Sequence, residues 1–348
     1  MALPRYHVPP PSPPAAAPLI WYARCPTLTA MGLVANRGVF AREFLREHVY
    51  IVSVRENSTP GVRQGLLDHS LSNLFREADA ATALWSHGQG AASRLLAIGE
   101  TWHGVSIVTR PSQPIDSLKD LAGRRLSVPK EAGAFSPAQV RTLRAWETVL
   151  GVAGVAPRDI AFVPVVADHP SVPFGDVARR EVEALLGGHS DVAILYGAKG
   201  LELARSAHLK TVHRFEAETI RADPRLRGLV ELRALTVDEA LLEGRADIVT
   251  RLTGNLLEAA VWARDFPREA LRQAAGEGQV EPDDAAAAYG SLIVDGVKLG
   301  LEDDRLAALD ALESWLQGHN LLPRDHDIAA WLSPEVLATA RSRLKEVA

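Results

Sequence analysis

From Leu19 onward the chain alternates short apolar runs with segments whose apolar residues recur at helical spacing, the pattern of parallel α/β architecture. Strands are predicted at 19–22, 49–55, 95–99, 105–109, 125–128, 161–166, 191–196 and 209–213. Helices are predicted where a hydroxyl or a proline serves the unpaired N–H groups of a first turn. Thr27 or Thr29 caps one that runs to Asn36 and stops near Gly38, and Ser58-Thr59-Pro60 opens another. A third is predicted over 76–87, which puts Arg76 in its first turn. Ser117 caps a single short helix closed by Gly123. Further helices are expected at 137–150, at 177–186 before Gly187-Gly188, and at 201–207. From Val230 one strand, VELRALTV, precedes mostly helices.

The texture changes at Arg110-Pro111, and the units on either side of it are both α/β. The expected organisation is two lobes joined by more than one crossing segment, with a cleft between them: lobe one from 19–109 and 232–348, lobe two from 110–231. Residues 1–18, with prolines at 4, 9, 10, 11, 13, 14 and 18, favour extended polyproline backbone and read as a disordered tail. Those prolines interrupt the only stretch that could serve as a secretory signal, so a cytoplasmic protein is expected.

Composition narrows the function classes. The 348 residues are 47% hydrophobic, enough for a substantial core, and 38 basic against 43 acidic residues leave a net charge of −5 without long single-sign blocks. Nucleic-acid and membrane-surface partners are therefore not expected. No apolar run reaches the roughly 18 residues of a membrane span. One cysteine, Cys25, allows neither an intramolecular disulfide nor a thiolate metal cage.

The unit SLKDLAGRRLSVP, and the helix that ends at Gly187-Gly188 before DVAILY, resemble the type II periplasmic solute-binding-protein fold, two α/β lobes about a cleft. Within that fold, Tyr22-Ala23-Arg24-Cys25-Pro26, Asp68-His69-Ser70 and Phe75-Arg76-Glu77 are similar to the hydroxybiphenyl sulfinate desulfinase branch, cytoplasmic enzymes built on the binding-protein scaffold. The similarity continues through Trp146, Phe174-Gly175-Asp176-Val177-Ala178-Arg179, Trp262-Ala263-Arg264-Asp265 and Asn320-Leu321-Leu322. The resemblance implies a site of Cys25, His69 and Arg76, with Trp146 and Phe174 as aromatic walls. Three positions depart from it: Ala78-Asp79 stand where the family has Gly-Gly, Ser70 replaces an aromatic, and Ala23 replaces a serine.

Residue chemistry gives each position two readings. Cys25 lies between a strand and a helix start, where free N–H groups and the helix dipole favour a thiolate; the alternative is a buried structural thiol. His69 is either the group that tunes the thiol or a solvated loop histidine. A cation at a helix start opposes the dipole, so Arg76 suggests a bound anion; the alternative is a salt bridge with Glu77 or Asp79. Asp79 either enters the cleft or points away along its helix. Gly88-Gln89-Gly90 is only part of a dinucleotide fingerprint. Asp325-His326-Asp327 with His319 reads as solvated polar sequence rather than a metal site, and Trp85, Trp102 and His103 read as core or cleft-edge residues.

The resulting expectation is a monomeric desulfinase-like C–S hydrolase acting on a small, aromatic sulfinate, with no cofactor or metal. Cys25 is its nucleophile or proton donor, His69 the tuner and Arg76 the anion clamp, while Asp79, Ser70, Trp146 and Phe174 contact the substrate. Two alternatives stand beside it: a solute-binding protein that closes on a small anion without chemistry, and a cysteine enzyme of the same scaffold that attacks a thioester or amide.

Overall fold

The computed structural model describes residues 19–25, 27–55, 60–130, 135–166, 176–323 and 326–347. Eleven strands among them form two sheets. β1 (Leu19–Ala23), β2 (Tyr50–Ser53), β3 (Leu74–Asp79) and β4 (Ser93–Thr101) belong to the first, and β5 (Val105–Thr109), β6 (Arg125–Lys130), β7 (Ala161–Val166), β8 (Val192–Tyr196) and β9 (Lys210–Phe215) to the second. β10 (Glu231–Asp238) and β11 (Leu299–Gly300) return to the first. The orders are β11-β4-β10-β3-β1-β2 and β7-β6-β8-β5-β9.

Strands linked by helical crossovers lie parallel: β1 with β2 and β3, β6 with β7 and β8. The strand that follows each crossing between sheets runs the other way. β5 is antiparallel to β8 and β9, and β10 is antiparallel to β3 and β4. A chain arriving from the neighbouring sheet enters at the end where local βα units finish their strands, so its direction is reversed.

The crossing falls at 102–104, before β5, and not at Arg110-Pro111 as expected: Val105–Thr109 pairs wholly within the second sheet. The return falls between Val230 and Glu231, one residue from the expected 231/232 boundary, because Glu231 already pairs with Thr101.

A second correction concerns 76–87. Leu74–Asp79 is a strand, and the helix covers Ala80–Gly88. Arg76 and Glu77 point to opposite faces of β3 and are both fully buried, so the segment carries charge on each face where a strand usually alternates. That pattern imitates a helix in sequence.

The first sheet is covered on one face by the helices Ala30–Asn36 and Ala246–Asp265, and on the other by Ala80–Gly88 and Asp303–Gly318. In the second lobe the helix Pro137–Ala153 packs on its sheet through Ala145, Trp146 and Val149, and ends at Gly154 in the left-handed region. Gly228 lets the return segment approach this helix closely, since a Cβ there would lie 2.0 Å from the Thr148 hydroxyl. No helix among the described residues is long and apolar enough to cross a membrane. The tail, 1–18, lies outside the described residues.

Candidate functional site

Cys25 follows β1 and precedes the helix Ala30–Asn36, as expected. Its half-buried thiol donates to the Glu77 carbonyl oxygen at 3.9 Å. The N–H groups expected to stabilise a thiolate are already occupied. Met31 N donates to Glu77 Oε2 at 2.8 Å, and Gly32 N to the Thr29 hydroxyl at 2.9 Å. Glu77 also pairs with the buried Arg233, so the positive end of the helix is spent on the protein's own carboxylate. Burial pushes the Cys25 thiol well above its ordinary value; Glu231, Glu77 and Asp79 push the same way, and Arg233 opposes them. The surroundings of Cys25 thus favour the thiol over the thiolate expected from its place before a helix.

Arg76 lies inside β3 and is fully buried. Its Nη1 donates to the Leu66 carbonyl at 2.6 Å and the Leu67 carbonyl at 3.4 Å, Nη2 to the Ser86 hydroxyl at 3.1 Å, and Nε to the Thr236 hydroxyl at 3.4 Å. It braces the last turn of the helix Pro60–Asp68, where a cation complements the dipole. Neither the helix-start geometry nor the salt bridge with Glu77 or Asp79 is present, and most of the guanidinium is used by the protein. Burial lowers its pKa to about 10.

His69, at φ 60° in the left-handed region, accompanies this brace. Its Nε2 lies 3.3 Å from the Thr236 hydroxyl, which also accepts from Arg76 Nε. Nδ1 is buried without a hydrogen-bond partner among the described residues. Burial, with Arg76 adding to it, holds the pKa down at about 3. His69 is a neutral buried ring, not a solvated loop residue, and no hydrogen bond joins it to Cys25 among the described residues. Its partners link it to Arg76. Exposed Ser70 shares with His69, Asp68, Ser86 and Gln89 a pocket of about 470 Å³ whose lining does not include Cys25.

Asp79 caps the helix Ala80–Gly88, accepting from Thr82 N at 3.1 Å. Burial and then Glu231 raise its pKa to about 6, while the Thr82 N–H, Arg141 and Arg144 pull it down. The two arginines are on the second-lobe helix Pro137–Ala153, so Asp79 caps its own helix within electrostatic reach of the other lobe.

The residues around it were not singled out as a site in the sequence. Glu231 Oε2 meets His103 Nε2 at 3.2 Å, and its Oε1 accepts from the Thr27 hydroxyl at 3.3 Å. Burial works against ionisation of Glu231, but His103, Arg141 and Arg233 together hold it down at about 2. The Arg141 guanidinium lies 4.3 Å from the Tyr196 ring centroid. The Arg141 Nε is buried without a hydrogen-bond partner among the described residues, and the buried Tyr196 hydroxyl lies beside the Thr142 hydroxyl. Burial pushes the Tyr196 phenol upward. The signal for this group was the charged pair Glu231 and Arg233 inside the strand run VELRALTV, and the Arg141/Arg144 pair one turn apart behind Ser136-Pro137.

Trp146 is not a wall of the site. It is fully buried in the second-lobe core, and its Nε1 donates to the Ser127 carbonyl at 2.9 Å. Phe174 lies outside the described residues. Among the described residues, Trp85 of the first lobe and Phe135 of the second are stacked with centroids 5.0 Å apart. His326 is not solvated: it contacts His87 at 2.8 Å and pairs with Glu313. Among the described residues, no group of three His, Cys, Asp or Glu side chains is arranged to hold a metal.

No protein-family model matches the chain. Over 288 residues, 72% of this chain and 75% of the relative, it is 25% identical to the 2'-hydroxybiphenyl-2-sulfinate desulfinase of Rhodococcus erythropolis. The desulfinase of Rhodococcus qingshengii matches to the same extent. Among solved structures, a serine-for-cysteine mutant of DSZB in complex with biphenyl-2-sulfinic acid superposes with a TM-score of 0.76 at 21% identity, covering 94% of this chain and 99% of that one. The periplasmic aliphatic sulphonate binding protein SsuA from Escherichia coli gives 0.63 at 12%, covering 90% and 92%. The chain thus has the two-lobed fold of the type II periplasmic binding proteins and resembles the desulfinase in sequence.

Proposed function

We propose that this protein cleaves the carbon–sulfur bond of a small aromatic sulfinate, releasing the arene and sulfite, with the Cys25 thiol as proton donor. The observation that carries the reading is a lone thiol at a strand-to-helix turn, buried among carboxylates that raise its pKa, in a chain similar to a sulfinate desulfinase. A nucleophilic route needs a thiolate at rest, whereas the environment of Cys25 favours the thiol.

The steps balance with water alone. The thiol proton passes to the ring carbon that bears sulfur, and the electron pair of the C–S bond becomes the new C–H bond. Sulfur dioxide departs and takes up water to give hydrogen sulfite and a proton, which restores the thiol. In this reading the acids around Cys25 keep it protonated. Arg76 and His69 are positioning residues that fix β3 and the end of the helix Pro60–Asp68. The cytoplasm, where a single thiol stays reduced, is the compartment the proposal takes.

Incubating the protein with a panel of aryl and alkyl sulfinates and assaying sulfite tests the reaction. Sulfite release abolished in Cys25→Ser, at unchanged thermal stability, supports it; release that persists in that variant refutes the role of the thiol. A second reading, closure on a small anion without turnover, draws on the same raised thiol pKa and on the likeness to a sulphonate-binding protein. Tight sulfinate binding with no sulfite released favours it.

A further inference from the structure

We infer that Arg141, carried by the second lobe on the face of Tyr196, receives the head of a singly charged oxyanion opposite Cys25. The inference rests on the proposed reading for the identity of that anion, an aryl sulfinate, but not for the site itself. Arg141 has no hydrogen-bond acceptor among the described residues, and its Nε is buried and unpartnered beside the Tyr196 ring. A buried guanidinium N–H without an acceptor, its carbon 4.3 Å from the ring centroid, is unfavourable until an acceptor reaches it. A two-oxygen head matches the planar fork. Arg76, the expected clamp, has given its donors to Leu66, Leu67, Ser86 and Thr236.

The charges nearby set the class of ligand. Arg144 stands one turn along the same helix, and Asp79 and Glu231 are the acids that act on both Arg141 and Cys25. Glu181, bonded to Ser127, is a third acid near Arg141. A monoanion adds one charge against this mixed field. A dianion, such as a phosphate monoester, adds a second charge that Asp79 and Glu231 repel.

Calorimetric titration with biphenyl-2-sulfonate, which resists C–S cleavage, tests the inference, with phenyl phosphate at pH 8 as the dianion. Arg141→Gln is expected to bind the sulfonate about 10- to 100-fold more weakly, the size of a lost charge-assisted hydrogen bond. Arg141→Lys should recover part of this. The variants are compared at equal thermal stability; if Arg141→Gln does not fold, Arg141→Lys and Tyr196→Phe carry the test, each expected to weaken binding. Unchanged sulfonate affinity in the folded variants, no sulfonate binding by the wild type, or phenyl phosphate binding as tightly as the sulfonate would overturn the inference. Arg141-dependent sulfonate binding without sulfite release from biphenyl-2-sulfinate upholds the site and removes the C–S cleavage reading instead.

Discussion

His103 Nε2 lies 3.2 Å from Glu231 Oε2, and the pair joins the two segments by which the chain passes between its sheets. His103 sits in the outgoing crossing between β4 and β5, and Glu231 is the first residue of β10 after the return. Both side chains are buried, with 2% and 5% of their surfaces exposed. Gly104 N donates to the Ala288 carbonyl at 2.7 Å, so the outgoing segment is also tied to the helix Pro282–Tyr289. The Thr27 hydroxyl then links Glu231 to the Cys25 loop. The crossing is therefore part of the electrostatic surroundings of the thiol, and a change at Glu231 reaches Cys25.

Replacing that carboxylate tests the connection. Glu231 is the largest charged contribution raising the Cys25 pKa. Glu231→Gln keeps one oxygen for His103, turns an amide N–H toward the Thr27 hydroxyl, which can accept it, and removes the charge. The alkylation rate of Cys25 by iodoacetamide, followed against pH, should shift to lower pH in the variant, since less work is then needed to form the thiolate. An unmoved profile would mean that the Glu231 charge does not reach the thiol.

Asp79 gives the pH dependence. Its folded-state value of about 6 lies above its ordinary 3.8, so between these values the native state binds a proton that the unfolded chain has released. Stability from this group therefore falls as pH rises through the window, and the full penalty is present above about 6. Asp79→Asn retains a capping oxygen for Thr82 and removes the charge. It should be more stable than the wild type at pH 7.5, with the difference shrinking below 6 and gone below 3.8. Denaturant midpoints across pH measure it, and a constant difference at all pH values would contradict it.

The sequence was most informative where local chemistry decides the outcome. Thr29 caps its helix, Gly123 takes the left-handed turn, and Ala161–Val166 and Val105–Thr109 are strands over the predicted spans. It misled where tertiary partners override the pattern. Arg76 and Glu77 read as a helix start because nothing local shows that helix-end carbonyls satisfy one and that Arg233 and Met31 N satisfy the other. The same holds for Cys25, whose helix N–H groups looked free until Glu77, 52 residues away, occupied one. Arg141, Tyr196, His103 and Glu231 come from four separate stretches of chain, and no spacing rule connects them.

Trp146 shows how a matched aromatic can serve packing alone. Its indole N–H is buried against the Ser127 carbonyl, and the ring fills the core beneath the helix Pro137–Ala153. Trp146→Phe leaves that carbonyl without its donor and should cost about 1–3 kcal/mol in denaturant unfolding. Ligand affinity of the folded protein should stay at the wild-type level. A stable variant with lost affinity would return Trp146 to the site.

Arg76 separates positioning from binding. Arg76→Met removes a buried cation, which relieves some desolvation, as the lowered pKa of about 10 indicates. It also leaves the Leu66 carbonyl without its guanidinium donor and deprives the Ser86 and Thr236 hydroxyls of theirs. The second effect is larger, because several buried acceptors are affected at once, and a loss of about 2–4 kcal/mol is expected. Arg76→Lys should recover part of it, since an ammonium can reach the helix-end carbonyl but cannot span to both hydroxyls. His69 should follow: without Arg76, its pKa rises, because the guanidinium is the second cause of its depression after burial. NMR titration of the His69 ring in Arg76→Lys and Arg76→Met then distinguishes the cases. Binding of biphenyl-2-sulfonate at saturating folded protein should be nearly unchanged in Arg76→Lys, in contrast to Arg141→Gln. If Arg76→Lys instead loses sulfonate affinity at wild-type stability, the remaining Nη2 hydrogen reaches the ligand, and Arg76 is the clamp that its place in the sequence suggested.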